Sequence, residues 1–126
     1  MKAKLVKENL GNVLKPKSKE DIIKELSNLS QEEKNEKLLD ASDEGILNIV
    51  KLLIKLGADI NAKNYDGNTP LIFASANGYL DIVKLLIENG ADINVKNKRK
   101  HTALYWASIK GYEDIVELLK KYGAKE

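Results

Sequence analysis

A five-residue motif, Gly-Ala-Asp-Ile-Asn, occurs twice in this chain, and the distance between the copies limits the folds available to it. The copies occupy residues 57–61 and 90–94 and are 33 residues apart. A shortened third copy, Gly-Ala at 123–124, follows at the same distance. A fixed period of roughly 20 to 50 residues is the sequence signature of stacked repeats. We therefore expect a chain built from copies of one structural unit.

The sequence follows this period without a gap. Residues 44–64 align with residues 77–97 and then with residues 110–126. Shorter matches lie upstream of each copy, namely LLDAS at 38–42, LIFAS at 71–75 and LYWAS at 104–108. The alignment predicts a leader with a helix at 1–29 and then three repeats within 30–126, at about 30–63, 64–96 and 97–126.

The middle copy predicts two short helices in each repeat. Thr69 can cap a first helix that begins at Pro70, where the missing N–H of proline costs nothing. A second helix is expected at about residues 80–88, and Gly90 ends it in the position where a left-handed residue is usual. Helices of this length are marginal alone in water, so packing between neighbouring repeats must stabilise them.

Residues 66–94, DGNTPLIFASANGYLDIVKLLIENGADIN, resemble the ankyrin repeat in their period, in the Thr-Pro-Leu start and in the Gly-Ala-Asp corner. The resemblance implies an all-α fold, a short solenoid of about three ankyrin-type helix-turn-helix repeats with an N-terminal capping helix. The histidine that usually follows Thr-Pro-Leu is absent, and Lys100 stands where the turn glycine Gly67 would align. We therefore expect the projecting turn of the third repeat to differ, and the first repeat to lack one.

The leader contains the signals of a further helix. Ser18 begins a capping-box pattern, and the apolar residues after it recur on one side of a helix, at Ile22, Ile23, Leu26 and Leu29. We expect this helix to cover the apolar side of the first repeat, with partner binding as the alternative. A second capping box at Ser30 predicts that the first repeat begins with a helix near residue 31. For residues 1–17 the sequence leaves open a docked segment or a loose basic arm.

The third repeat carries polar residues where the second repeat is apolar. Glu113 aligns with Leu80, and Lys120 aligns with Ile87, on one face of the second helix. The two ends of a repeat array need polar outer faces. We therefore expect the third repeat to end the stack and the protein to be complete at its C-terminus.

The composition argues against catalysis and against bound metal. The chain of 126 residues has no cysteine and a single histidine, His101, which the alignment places at the base of a turn. It also has no glycine-rich phosphate-binding loop. We therefore expect no enzyme activity, no cofactor and no metal site.

Charge and hydropathy limit the possible partners. The net charge of +2 is too small to indicate nucleic acid, although the basic run at 96–101 leaves phosphate contacts open as an alternative. The chain has no apolar run long enough for a membrane span or a secretory signal, so the cytoplasm is the expected compartment. We expect a monomer, with self-association through exposed tyrosine and isoleucine side chains as a second alternative.

The resemblance implies a protein partner, bound on the concave surface that the projecting turns and the exposed sides of the first helices form. The candidate contact residues are the positions that vary most between repeats: Asp43, Glu44, Tyr65, Asp66, Asn68, Ala76, Asn77, Lys98, Arg99, His101, Ile109 and Lys110. Their charge changes from acidic in the first repeat to basic in the third. The partner, whose identity the sequence leaves open, is expected to carry charges in the opposite order.

Overall fold

Three helix pairs make up most of the computed structural model, which describes residues 17–126. The described chain contains seven α-helices and no β-strand. After α1 (Lys19–Ser27), the helices pair as α2 (Gln31–Glu44) with α3 (Leu47–Lys55), α4 (Pro70–Asn77) with α5 (Leu80–Glu88), and α6 (Ala103–Lys110) with α7 (Glu113–Lys121). Each pair corresponds to one predicted repeat, so the expected all-α solenoid is confirmed.

The pairs stack in two layers. The first helix α4 packs between α2 and α6, and the second helix α5 packs between α3 and α7. The core lies between the layers, and its largest fully buried side chains include Leu38, Leu53, Leu71, Ile82, Leu86, Ile115 and Leu119. Because α5 contacts the second helices on both sides, Leu86 is 0% exposed at the middle of the stack.

The helices begin where the capping residues predict. The Thr69 hydroxyl accepts a hydrogen bond of 3.2 Å from the backbone N–H of Ile72, and α4 starts at the following proline. At α2, the Ser30 hydroxyl accepts a bond of 3.1 Å from the N–H of Glu33, whose carboxylate accepts one from the N–H of Ser30. These bonds from the backbone and side chain of Ser30 lower the pKa of Glu33. Residues 31–35 align with the projecting turns of the other repeats and lie within α2, so the first repeat has no projecting turn, as expected.

The third repeat keeps the projecting turn of the second, so the expectation that it differs is wrong. Lys100 has a φ of 64°, close to the 78° of Gly67. In each turn the side-chain oxygen of one asparagine, Asn64 or Asn97, accepts two backbone hydrogen bonds of 2.9–3.0 Å. Asparagine side chains favour turns through local hydrogen bonds of this kind to the backbone. The asparagine therefore holds the turn in shape although a lysine replaces the glycine.

The recurring corner joins each repeat to the next. The Asn61 Oδ1 accepts a hydrogen bond of 2.8 Å from the N–H of Asp92, and the Asn94 Oδ1 accepts one of 2.9 Å from the N–H of Lys125. In the first repeat, the Asn35 Oδ1 of α2 accepts the equivalent hydrogen bond, of 2.7 Å, from the N–H of Asp59. In the pentapeptide, the asparagine side chain accepts a hydrogen bond from the following corner, and the aspartate side chain accepts one from the asparagine N–H within its own corner.

Two tyrosines at equivalent positions of the second and third repeats pack between repeats. The Tyr79 ring lies over Gly45, and the Tyr112 ring lies over Gly78. Each glycine ends a first helix with a positive φ, of 82° and 80° respectively. A Cβ atom on Gly45 or Gly78 would lie 2.6 Å or 2.9 Å from the ring above it. The glycines therefore leave space for an aromatic ring from the following repeat.

The helix α1 flanks the first repeat on the side of its second helix. It begins with the predicted capping box at Ser18. Leu26 packs against the core, and Ile22 is half-buried and lines a hollow together with side chains of α3. No residue of α1 is fully buried in the described structure. The basic arm or docked segment expected near the N-terminus lies, up to residue 16, outside the described residues.

Candidate functional site

The projecting turns of the second and third repeats are held together side by side. The Lys98 N–H donates a hydrogen bond of 2.9 Å to the backbone carbonyl of Asp66. Beneath this bond, the side-chain amide of the buried Asn97 donates to the Asn68 Oδ1 at 2.8 Å. These two turns and the adjoining sides of α2, α4 and α6 form the surface that we call the concave surface. Its two turns are therefore fixed relative to one another before any partner binds.

A hollow of 240 Å³ between α4 and α6, which we call the central hollow, brings five of the twelve predicted contact residues together. These are Asp43, Asn68, Ala76, Asn77 and Lys110, and the aromatic side chains of Phe73 and Trp106 also line the hollow. The Asn77 Nδ2 donates a hydrogen bond of 2.9 Å to the Asp43 Oδ1 and so joins the first two repeats. A carboxylate from the first repeat and an ammonium group from the third thus border one small space.

A larger hollow of 550 Å³ lies between α2 and the segment that leads into the second repeat, and we call it the α2 groove. Four carboxylates line its α2 side, at Glu32, Glu36, Asp40 and Asp43. On the other side, Tyr65 is 93% exposed, and Lys63 is the one cation among residues 17–126 that lines the groove. Leu39 and Phe73 supply apolar surface. The α2 groove and the central hollow share Asp43 and Phe73, so the two spaces adjoin.

The sequence-based selection found only two residues of the α2 groove, Asp43 and Tyr65. It missed Glu32 and Glu36 because the comparison between repeats gives no weight to the extra turns of α2, and it missed Asp40 although this residue lies in the compared segment 38–42. Their spacing of four residues was the available signal, since side chains at i and i+4 lie on one face of a helix. If residues 31–44 are taken as one helix, these three carboxylates lie on the same helix face.

The remaining predicted residues lie outside the two hollows. Asp66, Lys98 and Arg99 are exposed on the projecting turns, and Glu44 is exposed at the end of α2. Ile109 is 56% exposed, but it lies with Tyr105 in a separate groove of 710 Å³ on the outer side of α6. We call this the end groove. Ile109 is therefore apart from the residues with which the sequence grouped it.

The end groove adds exposed apolar side chains to the end of the stack, where the sequence predicts polar residues. Glu113 and Lys120 of α7 are exposed, as the alignment suggested. Tyr105 of α6, however, is 40% exposed, whereas the aligned residues Leu39 and Ile72 are buried. The following repeat covers those two positions, and no further repeat of the described chain covers Tyr105. The outer side of the third repeat is therefore polar along α7, whereas along α6 it also exposes the side chains of Tyr105 and Ile109.

His101 belongs to an aromatic cluster instead of standing free at the surface. Its ring stacks on Tyr105 with the centroids 3.8 Å apart and meets Trp106 edge-on at 5.5 Å. Its Nδ1 atom is buried and makes no hydrogen bond within the described part of the chain. Among residues 17–126, no group of three or more histidine and carboxylate side chains could hold a metal ion. The contacts of His101 assign it a packing role between the third turn and α6.

Comparison with known protein families agrees with the helix pairs. Residues 14–97 and residues 38–126 match the family model described as ankyrin repeats (3 copies). A search of curated proteins finds no match to this chain. Within residues 17–126, no helix combines the length and the apolar character needed to cross a membrane.

Proposed function

Because this chain belongs to the ankyrin repeat family, we propose that it is a non-catalytic module that binds a protein partner on its concave surface. Ankyrin repeats are generally protein–protein interaction modules, and proteins built from them are typically not enzymes. The observation that supports this surface most is the central hollow, where side chains from three repeats border one space. A partner that enters the hollow contacts all three repeats at once.

Exposed aromatic groups supply the anchoring contacts of this proposal. Tyr65 is almost fully exposed, and Phe73 and Trp106 are half-buried at the borders of the two hollows. Aromatic side chains are enriched among the residues that carry most of the binding energy of protein interfaces. These three rings therefore supply the apolar contacts, and the charges around them supply specificity.

The charges on the concave surface support an orientation for the partner. The first repeat exposes Asp40 and Asp43, and the third repeat exposes Lys98, Arg99 and Lys110. Complementary charges steer two proteins during encounter and disfavour the wrong register. We propose that the partner is basic where it meets the first repeat and acidic where it meets the third.

The test blocks the central hollow with one long side chain. Ala76 is half-buried there, and the aligned residue of the first repeat is the larger Asp43, so the fold should tolerate Ala76→Arg. The matched control is Asp81→Arg, at an exposed position of the second helix α5. Affinity capture from the source cell should lose the partner with Ala76→Arg and keep it with Asp81→Arg. Equal capture by the two variants would exclude the central hollow from the binding surface.

Self-association is a second candidate function, and the end groove supports it. Tyr105 and Ile109 expose apolar surface in the end groove, and the residues that align with Tyr105 in the other two repeats are buried. A second copy that packs against this face would remove that surface from water. Sedimentation equilibrium should then give a mass that rises with concentration, and Tyr105→Lys should abolish the rise. A constant monomer mass at all concentrations would eliminate this candidate.

A further inference from the structure

We propose that the α2 groove binds an extended peptide segment whose lysine or arginine residues alternate with uncharged ones. This inference rests on the proposed function, because it names the chemistry of the partner segment that meets the first repeat. Three properties of the groove support this occupant, namely its charge, the spacing of its carboxylates and its apolar surface.

The charge of the groove is strongly one-sided. Glu32, Glu36, Asp40 and Asp43 are all exposed, and Lys63 is the one lysine or arginine among the lining residues of the described chain. Within residues 17–126 the ion pairs are Lys17 with Glu25 and Lys120 with Glu126, so the groove carboxylates have no described cation as an ion-pair partner. Four like charges along one helix repel each other. A segment with positive charges relieves this repulsion when it binds.

The spacing of the carboxylates selects an extended segment. Glu32, Glu36 and Asp40 follow one another at intervals of four residues, which correspond to about 6 Å each along a helix axis. In an extended peptide, alternate side chains point the same way and lie about 6.6 Å apart. A strand laid along α2 therefore brings every second side chain to one carboxylate. A block of adjacent lysines would direct half of its charges away from α2.

The apolar surface of the groove receives the uncharged side chains. Leu39 and Phe73 line it between the two walls, and the nearly free ring of Tyr65 stands on the wall opposite α2. Tyrosine rings also attract cations over their faces. A basic segment in the groove thus contacts carboxylates on one side and an aromatic ring on the other.

The experiment measures binding of labelled peptides to the full chain by fluorescence anisotropy. One peptide of about seven residues alternates lysine with valine, which favours the extended conformation. The comparison peptide has the same composition with its lysines in one block. The alternating peptide should bind at least about fivefold more tightly, and raised salt should weaken it. Equal affinity for the two peptides would overturn the proposal.

Two variant pairs locate the binding. Glu36→Gln with Asp40→Asn should weaken the alternating peptide by about fivefold to tenfold, as expected for the loss of two exposed ion pairs. The matched control, Asp81→Asn with Glu117→Gln, removes two exposed carboxylates of the second helices. It should change the affinity for the peptide less than twofold, because it alters only the net charge of the protein. Equal weakening by both pairs would show attraction by net charge and would overturn the proposed groove.

Other occupants give distinct results in the absence of peptide. Carboxyl-to-amine cross-linking of the free monomer should give no link between Glu36 and Lys2, Lys4 or Lys7. A link of this kind within one chain would assign the groove to the chain's own N-terminal segment and would overturn the proposal. If the chain has a doubled mass in solution, and Glu36→Gln with Asp40→Asn abolishes it, the groove binds a second copy of the chain. That result would also overturn the proposal.

The outcomes also separate this inference from the proposed function. If Ala76→Arg abolishes partner capture while the two peptides bind equally, the inference fails and the proposed function stands. If the alternating peptide is preferred while Ala76→Arg leaves capture intact, the central hollow is excluded and the α2 groove stands.

Discussion

Replacing two equivalent glycines with alanine tests the packing between repeats with an internal control. Gly78 ends α4 at a φ of 80°, and a Cβ atom there would lie 2.9 Å from atoms of the Tyr112 ring. Gly111 ends α6 at a φ of 77°, and a Cβ atom there would meet no described atom within 4 Å. Both substitutions therefore introduce the same backbone strain, and only Gly78→Ala also displaces a ring.

The magnitudes follow from two contributions, the backbone strain that both variants share and the displaced ring that only Gly78→Ala adds. An alanine in the left-handed region costs about 1 to 2 kcal/mol, so Gly111→Ala should lower the free energy of unfolding by that amount. Forcing an extra methyl group into a packed contact adds about 1 to 3 kcal/mol, so Gly78→Ala should lower it by about 2 to 5 kcal/mol. The difference between the two variants measures the contact with Tyr112.

Urea unfolding followed by circular dichroism gives both free energies, provided that the slope with urea stays constant between variants. A double-mutant cycle with Tyr112→Ala then separates strain from contact. On the Tyr112→Ala background, Gly78→Ala should cost no more than Gly111→Ala does in the unchanged chain. Equal destabilisation by Gly78→Ala and Gly111→Ala in the unchanged chain would refute the reasoning, because the ring would then not depend on the glycine.

Other predictions test the core, the corners and the leader. Leu86→Ala should lower the free energy of unfolding by about 2 to 5 kcal/mol, and a loss under about 1 kcal/mol in urea would contradict its place in the core. Asn61→Ala should cost about 0.5 to 1.5 kcal/mol, since the N–H of Asp92 loses its acceptor; an unchanged urea midpoint would argue against that bond. A chain that begins at Ser30 should melt at a lower temperature or self-associate, and unchanged melting of a monomer would show that α1 does not protect the first repeat.

Local signals in the sequence were sufficient for the helices and their order. Ser18, Ser30 and Thr69 cap helices through bonds to residues three positions later, so the pattern and the contact are both local. The repeat period then gave the stacking, because equivalent residues of a repeat array contact equivalent neighbours. The contacts of Tyr79 and Tyr112 with glycines of the preceding repeat follow from this symmetry.

Features that depend on two distant segments were not predictable in this way. Lys100 looked incompatible with a turn that needs a left-handed residue, and the hydrogen bonds of Asn97 that hold the turn became visible only in the structure. The α2 groove combines α2 with residues of the following repeat, and alignment of repeats cannot show which side chains meet across a groove. Tyr105 is exposed because no further repeat of the described chain covers it. The identity of the residue alone does not reveal this exposure.

The measurement that tests the proposed function most directly is the association rate of the captured partner with two charge-reversed variants. Arg99→Glu with Lys110→Glu changes two exposed residues of the third repeat, one on its projecting turn and one at the central hollow. The control, Lys51→Glu with Lys84→Glu, changes the same number of charges at exposed positions of the second helices. Circular dichroism should show that all variants remain folded, since each altered side chain is exposed.

Stopped-flow or surface-binding kinetics should give a slower association rate for the Arg99 and Lys110 pair than for the control pair. Because charges at the rim of an interface act mainly on encounter, the difference should shrink as salt shortens the range of the interaction below about 10 Å. Dissociation rates should change less than association rates. If the control pair slows association as much as the Arg99 and Lys110 pair does, the partner does not bind on the concave surface.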